Sequence, residues 1–380
     1  MEMLHQSAQE YNPGFLEKWG IGVLKNYVKR APLEKDPSGP GSKFFSQSGK
    51  IIWWSFFWGL NIGFWTTFGI TIVEKIFPES PELWSFQFYE KWAWTGGALI
   101  VGTLLEFYLL YELGLWAAFR ITQLAGMHLE DDPDLFTAKS NLLARMALEI
   151  PDPDLKLLGI DPLKLTDKRS LLVRTVLYKA KVLLSNLVAK IVLRKVLARN
   201  SLRVYAEFIA APITAIWDAV VLWLILSELR IRLISRVIAE DIVAQIFANE
   251  RRLTKEAKLA FLAAVGNSVV FTQRFHPNLE YLLIKMYKNF GIRTEDFVFD
   301  DLETFAKLIA GLKKEDREAC LKLLCLACSF DGKLSSFEAK YLKKILGQDA
   351  EQHLELIREL SSYIRTGNLE ACRERSRLFS

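Results

Sequence analysis

Three stretches of the chain drop the usual alternation of polar and apolar positions and run apolar for the length of a membrane span. The first, Ile51 to Val73 (IIWWSFFWGLNIGFWTTFGITIV), is 23 residues long and carries no charge. At the α-helical rise it measures roughly 34 Å, enough to cross a hydrocarbon core with some tilt. Trp53, Trp54 and Trp58 sit toward one end, where aromatic side chains favour the water–lipid boundary. A second run, Trp92 to Phe119, holds Glu106 and Glu112. With the first it predicts a transmembrane hairpin over 51–126 that returns at Arg120. A third run, Val204 to Leu226, encloses Glu207, Pro212 and Asp218. Just upstream, Leu171 to Leu197 has a helical pattern studded with Arg174, Lys179, Lys181, Lys190, Arg194 and Lys195. That pattern fits a basic amphipathic helix lying on an anionic surface. Two topologies are open for 182–226. Either Val182 to Leu197 crosses and pairs with the third run as a second hairpin, or the Pro212-containing segment is re-entrant.

Elsewhere the pattern is that of ordinary helices and linkers. Residues 1–50 read as an amphipathic helix followed by the flexible Pro/Gly/Ser segment Lys35 to Gly49. Residues 127–170 form an Asp/Pro-rich connector with two similar phrases, EDDPDL and IPDPDL. There aspartate and proline suit helix caps and turns better than a metal loop. Residues 171–249 hold the basic helix and the second membrane region, and from 250 to 380 amphipathic helical patterns take over. The predicted fold is all-α, a membrane helix bundle followed by a soluble helical domain.

Composition agrees with this segregation. Hydrophobic residues make up 51% of the chain and charged residues 24%, with a mean hydropathy of +0.14. That is too apolar for one soluble domain and too charged for a chain wholly in lipid. A net charge of +5 over 380 residues gives no case for nucleic acid as a partner. Lys18, Lys25, Lys29, Arg30, Lys35, Lys43 and Lys50 precede the first span, and the loop Glu74 to Lys91 is slightly acidic. The positive-inside rule then places the N-terminus in the cytoplasm. The segment before Lys50 has no apolar signal-peptide core. Cys320, Cys325, Cys328 and Cys372 all lie near the C-terminus, which points to reduced thiols and a cytoplasmic C-terminus. The expectation is a multi-pass protein of a bacterial-type inner membrane.

Leu321 to Leu346 (LKLLCLACSFDGKLSSFEAKYLKKIL) reads as a helix ending at Phe330 and a tight turn at Asp331-Gly332. A second helix follows, capped by Ser335 or Ser336 with Glu338 early in it. Ala260 to Gly291 repeats the arrangement when Glu280 is aligned with Glu338, although Gln273-Arg274 stands where the second copy has Asp331-Gly332. This helix, DG-x5-E, helix phrase resembles the repeat unit of TerB-like domains of the tellurite-resistance type. The likeness covers about 120 residues. It implies two helix pairs, and it implies metal-binding carboxylates at paired acidic turns, here Asp331 and Glu338 with one turn lacking its acid. His276-Pro277-Asn278 is read as a Pro-initiated helix start.

No P-loop, dinucleotide fingerprint, HExxH or nucleophile elbow occurs, so neither an enzyme nor an organic cofactor is expected. Two carboxylates are few for a divalent cation, and turn and cap roles account for Asp331 and Glu338. Cys325 and Cys328, three apart on a helix, suit core packing better than zinc. The most informative ionisable residues are Glu106, Glu112, Glu207 and Asp218, since a charge at a span's centre costs about 2.5–3.5 kcal/mol. Glu112 and Glu207 are near enough to an end to snorkel, whereas Glu106 and Asp218 are not. Glu106 to Arg120 and Asp218 to Arg232 also echo one another, each running from a carboxylate to an arginine fourteen positions on. Two functions follow as expectations. One is a membrane protein presenting a TerB-like cytoplasmic module for protein interaction or stress and ion sensing. The other is a small cation or proton transporter with a regulatory cytoplasmic domain.

Overall fold

A computed structural model of the chain describes residues 14–30, 43–76, 85–126, 160–162, 164, 203–273, 276–292 and 298–379. Every regular element among them is helical: α1 (Phe15–Arg30), α2 (Phe44–Ile76), α3 (Phe86–Leu124), α4 (Arg203–Asn249), α5 (Lys255–Thr272), α6 (Pro277–Phe290), α7 (Leu302–Gly311), α8 (Lys314–Ser329), α9 (Ser336–Leu346), α10 (Ala350–Thr366) and α11 (Leu369–Arg375). They group into two compact units. One comprises Ser48–Arg120 and Asp167–Ser227, the other Met1–Gln47, Ile121–Thr166 and Glu228–Ser380.

The first unit is a membrane unit. α2, α3 and the stretch Ala211–Arg252, which holds most of α4 and the short turn after it and whose first part lies in this unit, are each long and apolar enough to cross a bilayer, with mean hydropathies of 1.3, 1.6 and 1.6. Their burial pattern inverts that of a water-soluble bundle. Trp53, Trp54, Trp65, Ile100, Leu104, Trp217 and Leu224 face outward, while Ser55, Thr67, Thr71, Glu106, Thr214 and Asp218 are buried. Lipid outside and polar groups inside satisfy both populations, so this is a membrane protein.

Small residues set how close these helices come. Gly59 and Gly63 on α2 meet Ala219 and Ala215 on α4, with Ala215 Cα 3.0 Å from where a β-carbon on Gly63 would stand. Further along, the Thr67 and Thr214 hydroxyls share a hydrogen bond of 2.9 Å. Rising numbers on α2 therefore meet falling numbers on α4, and the pair is antiparallel. α3 is also antiparallel to α2, because Gly102 packs on Ile70 and Glu106 reaches back to Thr66. Hence α3 and α4 run in the same direction.

α2 begins at Phe44, inside the segment expected to be a flexible linker. Phe44 and Ser48 are buried, and the Phe45 ring lies 4.0 Å from the Arg230 guanidinium. These anchors give the polar turns before Lys50 a reason to be helical. α4 is a single helix of 47 residues with Pro212 inside it, so the re-entrant alternative is overturned for 203–226. No glycine or proline follows Pro212 before Asn249, and nothing in that stretch would turn the backbone. The other alternative, a crossing by Val182 to Leu197, lies outside the described residues, as does the basic helix from Leu171. So do EDDPDL (130–135) and IPDPDL (150–155).

The second unit is built around α5, which is buried nearly all round. Ala257 and every residue from Ala260 to Phe271 are buried, as a helix apolar on all sides requires. α6, α7, α8 and α9 pack against it, α10 covers α8 and α9, and α11 follows α10. The C-terminal half of α4 belongs to this unit. Its Asp241 pairs with Arg373 at 2.8 Å, and its Gln245 accepts the Leu378 N–H. Part of the 127–170 connector is docked here too. Ile160 is fully buried, and Asp300 accepts from the Asp161 N–H and from Lys164 Nζ at 2.8 Å.

Candidate functional site

Two of the four carboxylates singled out within the membrane runs arrive on one turn of α2. Glu106 is 1% exposed and Asp218 is 4% exposed. Glu106 Oε2 lies 2.5 Å from Thr66 Oγ1. Asp218 Oδ2 lies against the bare Cα of Gly63, in the space a side chain there would fill. Gly63 and Thr66 are one and four residues past Ile62, the middle of the Ile51 to Val73 run, or about 2 and 6 Å along the helix. Both acids thus reach α2 near the middle of the apolar layer, from helices that run the same way. The sequence echo between Glu106 and Asp218 has a spatial counterpart. Glu112 is half-buried on α3. Glu207 falls in the opening turns of α4, outside the residues whose side chains are described.

Thr66 gives this site a chemical option. Its Oγ1 also lies 2.8 Å from the Ile62 carbonyl, and a hydroxyl has only one proton to donate. That proton goes either to Glu106 or to the Ile62 carbonyl, so the Thr66 hydroxyl ties the acid of α3 to the backbone of α2.

The glycine and threonine partners were missed in the sequence. Gly59 and Gly63 form a G-x-x-x-G in an apolar run, which is itself a known signal of close helix packing. The threonines gave no such signal, since a hydroxyl inside a span bonds its own helix by default, as Thr71 does to Thr67 O.

In the α5-centred unit, Asp331 and Glu338 both serve the local backbone. α8 ends at Ser329, and Gly332 takes φ +71° in the turn that follows. Asp331 Oδ1 accepts the Lys333 N–H at 3.1 Å. Ser335 caps α9 in a full capping box, its Oγ accepting the Glu338 N–H while Glu338 Oε2 accepts the Ser335 N–H. The α5–α6 connection also pairs a helix end with a capped start. Gln273, at φ 54°, supplies the left-handed residue after α5, and His276 caps α6 with Pro277 in its first turn. Glu280 and Glu338 are both buried, Glu338 three residues after its cap and Glu280 four after His276. No group of three or more metal-ligating side chains occurs among the described residues.

Glu338 carries a perturbed carboxyl, pushed up to about 7. Burial is the main cause and nearby Asp331 adds to it, while the Ser335 hydrogen bonds and Lys333 pull the other way. A group whose folded value is raised stabilises below its unfolded value and loses that contribution as pH rises through the folded one. Protection of α8 and α9 amides against hydrogen exchange, corrected for intrinsic rate, should therefore be higher at pH 5 than at pH 8. The difference should not exceed about 3 kcal/mol, and Glu338→Gln should flatten it. An equal slope in that variant would remove Glu338 as its source. The four cysteines are free and fully buried. Burial pushes Cys325 and Cys372 up to about 12 and Cys320 and Cys328 well above their ordinary value, so they pack as small apolar groups.

No family model, curated protein or solved structure matches this chain.

Proposed function

We propose that this membrane protein senses protons or a cation at Glu106 and Asp218 and presents a TerB-like helical module, on the cytoplasmic face of a bacterial inner membrane, to a protein partner. The observation that carries this is α4. The helix that bears Asp218 continues to Asn249, and its later residues hold two connections of the α5-centred unit, that between α8 and α9 and that between α5 and α6. Ser235 Oγ donates to the Phe330 carbonyl at 2.8 Å, and Asn278 Nδ2 donates to the Arg232 carbonyl at 2.9 Å. A change of charge at Asp218 would act on the two turns along this one helix. Sensing requires that the two charge states bias that helix differently.

Asp218→Asn combined with Glu106→Gln mimics the protonated pair. In the full chain in lipid, this variant should change hydrogen exchange at 330–338 by at least about threefold, corresponding to a coupling of roughly 0.7 kcal/mol or more. Unchanged exchange there, in a variant that still inserts, would end the sensing proposal.

Transport is the second reading, favoured by the depth of the two acids, since coupling-ion sites in transporters lie near the midplane. The same variant in proteoliposomes separates the two. Loss of proton or cation flux supports transport, and a wild-type protein without flux removes it.

A further inference from the structure

We propose that Arg230 and Arg365, on two of the chain segments that meet at Phe45 and Gly332, bind the phosphate of an anionic phospholipid at the headgroup level of the membrane. Four chain segments meet there within the α5-centred unit. The Phe45 ring, in the first turn of α2, lies 4.0 Å from the Arg230 guanidinium. It also covers Gly367, where a β-carbon would stand 2.5 Å from Phe45 Cδ2. Gly367 holds φ +73° as the cap of α10, two residues after Arg365. The stem of Arg365 in turn crosses Gly332, with Cγ 3.0 Å from that residue's β-position and Ile231 Cγ2 at 3.4 Å. Glycine is needed at both places, once for its backbone angle and again because the neighbouring side chains leave no room.

Charge distinguishes this spot from the rest of α4. Arg232 and Arg236 form ion pairs with Glu228 and Glu240 at 2.7 and 3.0 Å. Arg230 makes no ion pair among the described residues, and its Nε is buried without a hydrogen-bond partner. Arg365 is exposed, also without an ion pair among the described residues, and Lys43 is exposed two residues before Phe45. Asp331, the acid in the neighbouring turn, accepts from its own backbone at Lys333. The balance is cationic, and guanidinium groups match phosphate oxygens in both geometry and charge.

Depth supplies the identity of the anion. Phe45 stands six residues before Ile51, where the apolar run of α2 begins, and Arg230 four residues after Leu226, where that of α4 ends. Along continuous helices these offsets are about 9 and 6 Å. The headgroup layer on each side of the hydrocarbon is about 5–8 Å thick, so Arg230 stands within it and Phe45 at its outer edge. Basic pockets beside spanning helices are a recognised way of holding anionic headgroups. The proposal rests only on the chain being a membrane protein and stands or falls apart from the sensing reading.

The test uses the full chain in a non-ionic detergent, offered phosphatidylglycerol or phosphatidylcholine, with retained lipid counted by native mass spectrometry. Wild type should retain phosphatidylglycerol over phosphatidylcholine by about fivefold or more. Arg230→Gln and Arg365→Gln should each cut that retention about threefold or more, while Arg230→Lys keeps part of it. Arg358→Gln, which loses only an exposed pair with Glu355 on α10, should match wild type. Arg365 is exposed, so Arg365→Gln reports on binding even if Arg230→Gln disturbs folding. Equal retention of the two lipids, equal retention in Arg365→Gln, or displacement by millimolar inorganic phosphate would overturn the proposal.

Discussion

Replacing Gly266 with alanine should destabilise the α5-centred unit by about 3 kcal/mol or more, although an alanine inside a helix ordinarily gains about 1 kcal/mol over glycine. A β-carbon at Gly266 would overlap the Phe299 carbonyl oxygen and lie 2.9 Å from its carbon. That carbonyl is not free to retreat. Asn267 Nδ2 donates to it at 3.2 Å and to the Ala263 carbonyl at 2.9 Å, with Asn267 itself buried. The Phe299 ring is buried as well, and the next residue, Asp300, holds Lys164. Hydrogen exchange across α5 and α8 would measure the loss. Gly311→Ala, where nothing lies within 4 Å of the new methyl, should be neutral or mildly stabilising. If the two variants behaved alike, close backbone approach at Gly266 would not be what holds the 299 turn.

The second large effect is expected in the membrane unit. Gly63→Leu should push α2 from α4, break the Thr67–Thr214 bond and expose Asp218. Two backbones that now nearly touch would be separated by a branched side chain, so the expected loss is again about 3 kcal/mol. Gly69→Leu is the control, since that position on the same helix has nothing within 4 Å. Thermal melting followed by tryptophan fluorescence in detergent should separate the two clearly. A smaller change tests the cause. Gly63→Ala together with Asp218→Ala should cost less than the sum of the single changes, because removing the carboxylate clears the space the methyl needs. Strict additivity would mean that Asp218 and Gly63 do not share that space.

The membrane helices were legible because length and the absence of charge are one-dimensional properties, and the bilayer sets a threshold for both. Their ends were not. The chain gives no local reason for Phe44 to start a helix; the reason is Arg230, far along the sequence. α4 likewise runs past Leu226 through three arginines, since helix continuity depends on the lack of breakers and not on polarity. Of the acids, Glu106 and Asp218 stood out by their distance from the ends of the apolar runs, but their meeting on one turn of α2 depends on registers that glycine and alanine set. The turn at Asp331-Gly332 and the cap at Ser335 could be read residue by residue because those signals span only a few positions. Gln273 in a left-handed conformation could not be foreseen, for the glycine that usually marks such a turn is absent.

The central place of α5 also has a consequence during synthesis. Its largely apolar stretch, Leu259 to Phe271, is shorter than a membrane span, yet it is buried on nearly every face. α8, which covers it, is complete only at Ser329, 57 residues after Thr272. At about 5–20 residues per second, a ribosome leaves the bare helix waiting for roughly 3–11 seconds. Over that interval the nascent chain offers a sticky surface beside a membrane it has just entered, and a holding chaperone at the exit site would shield it.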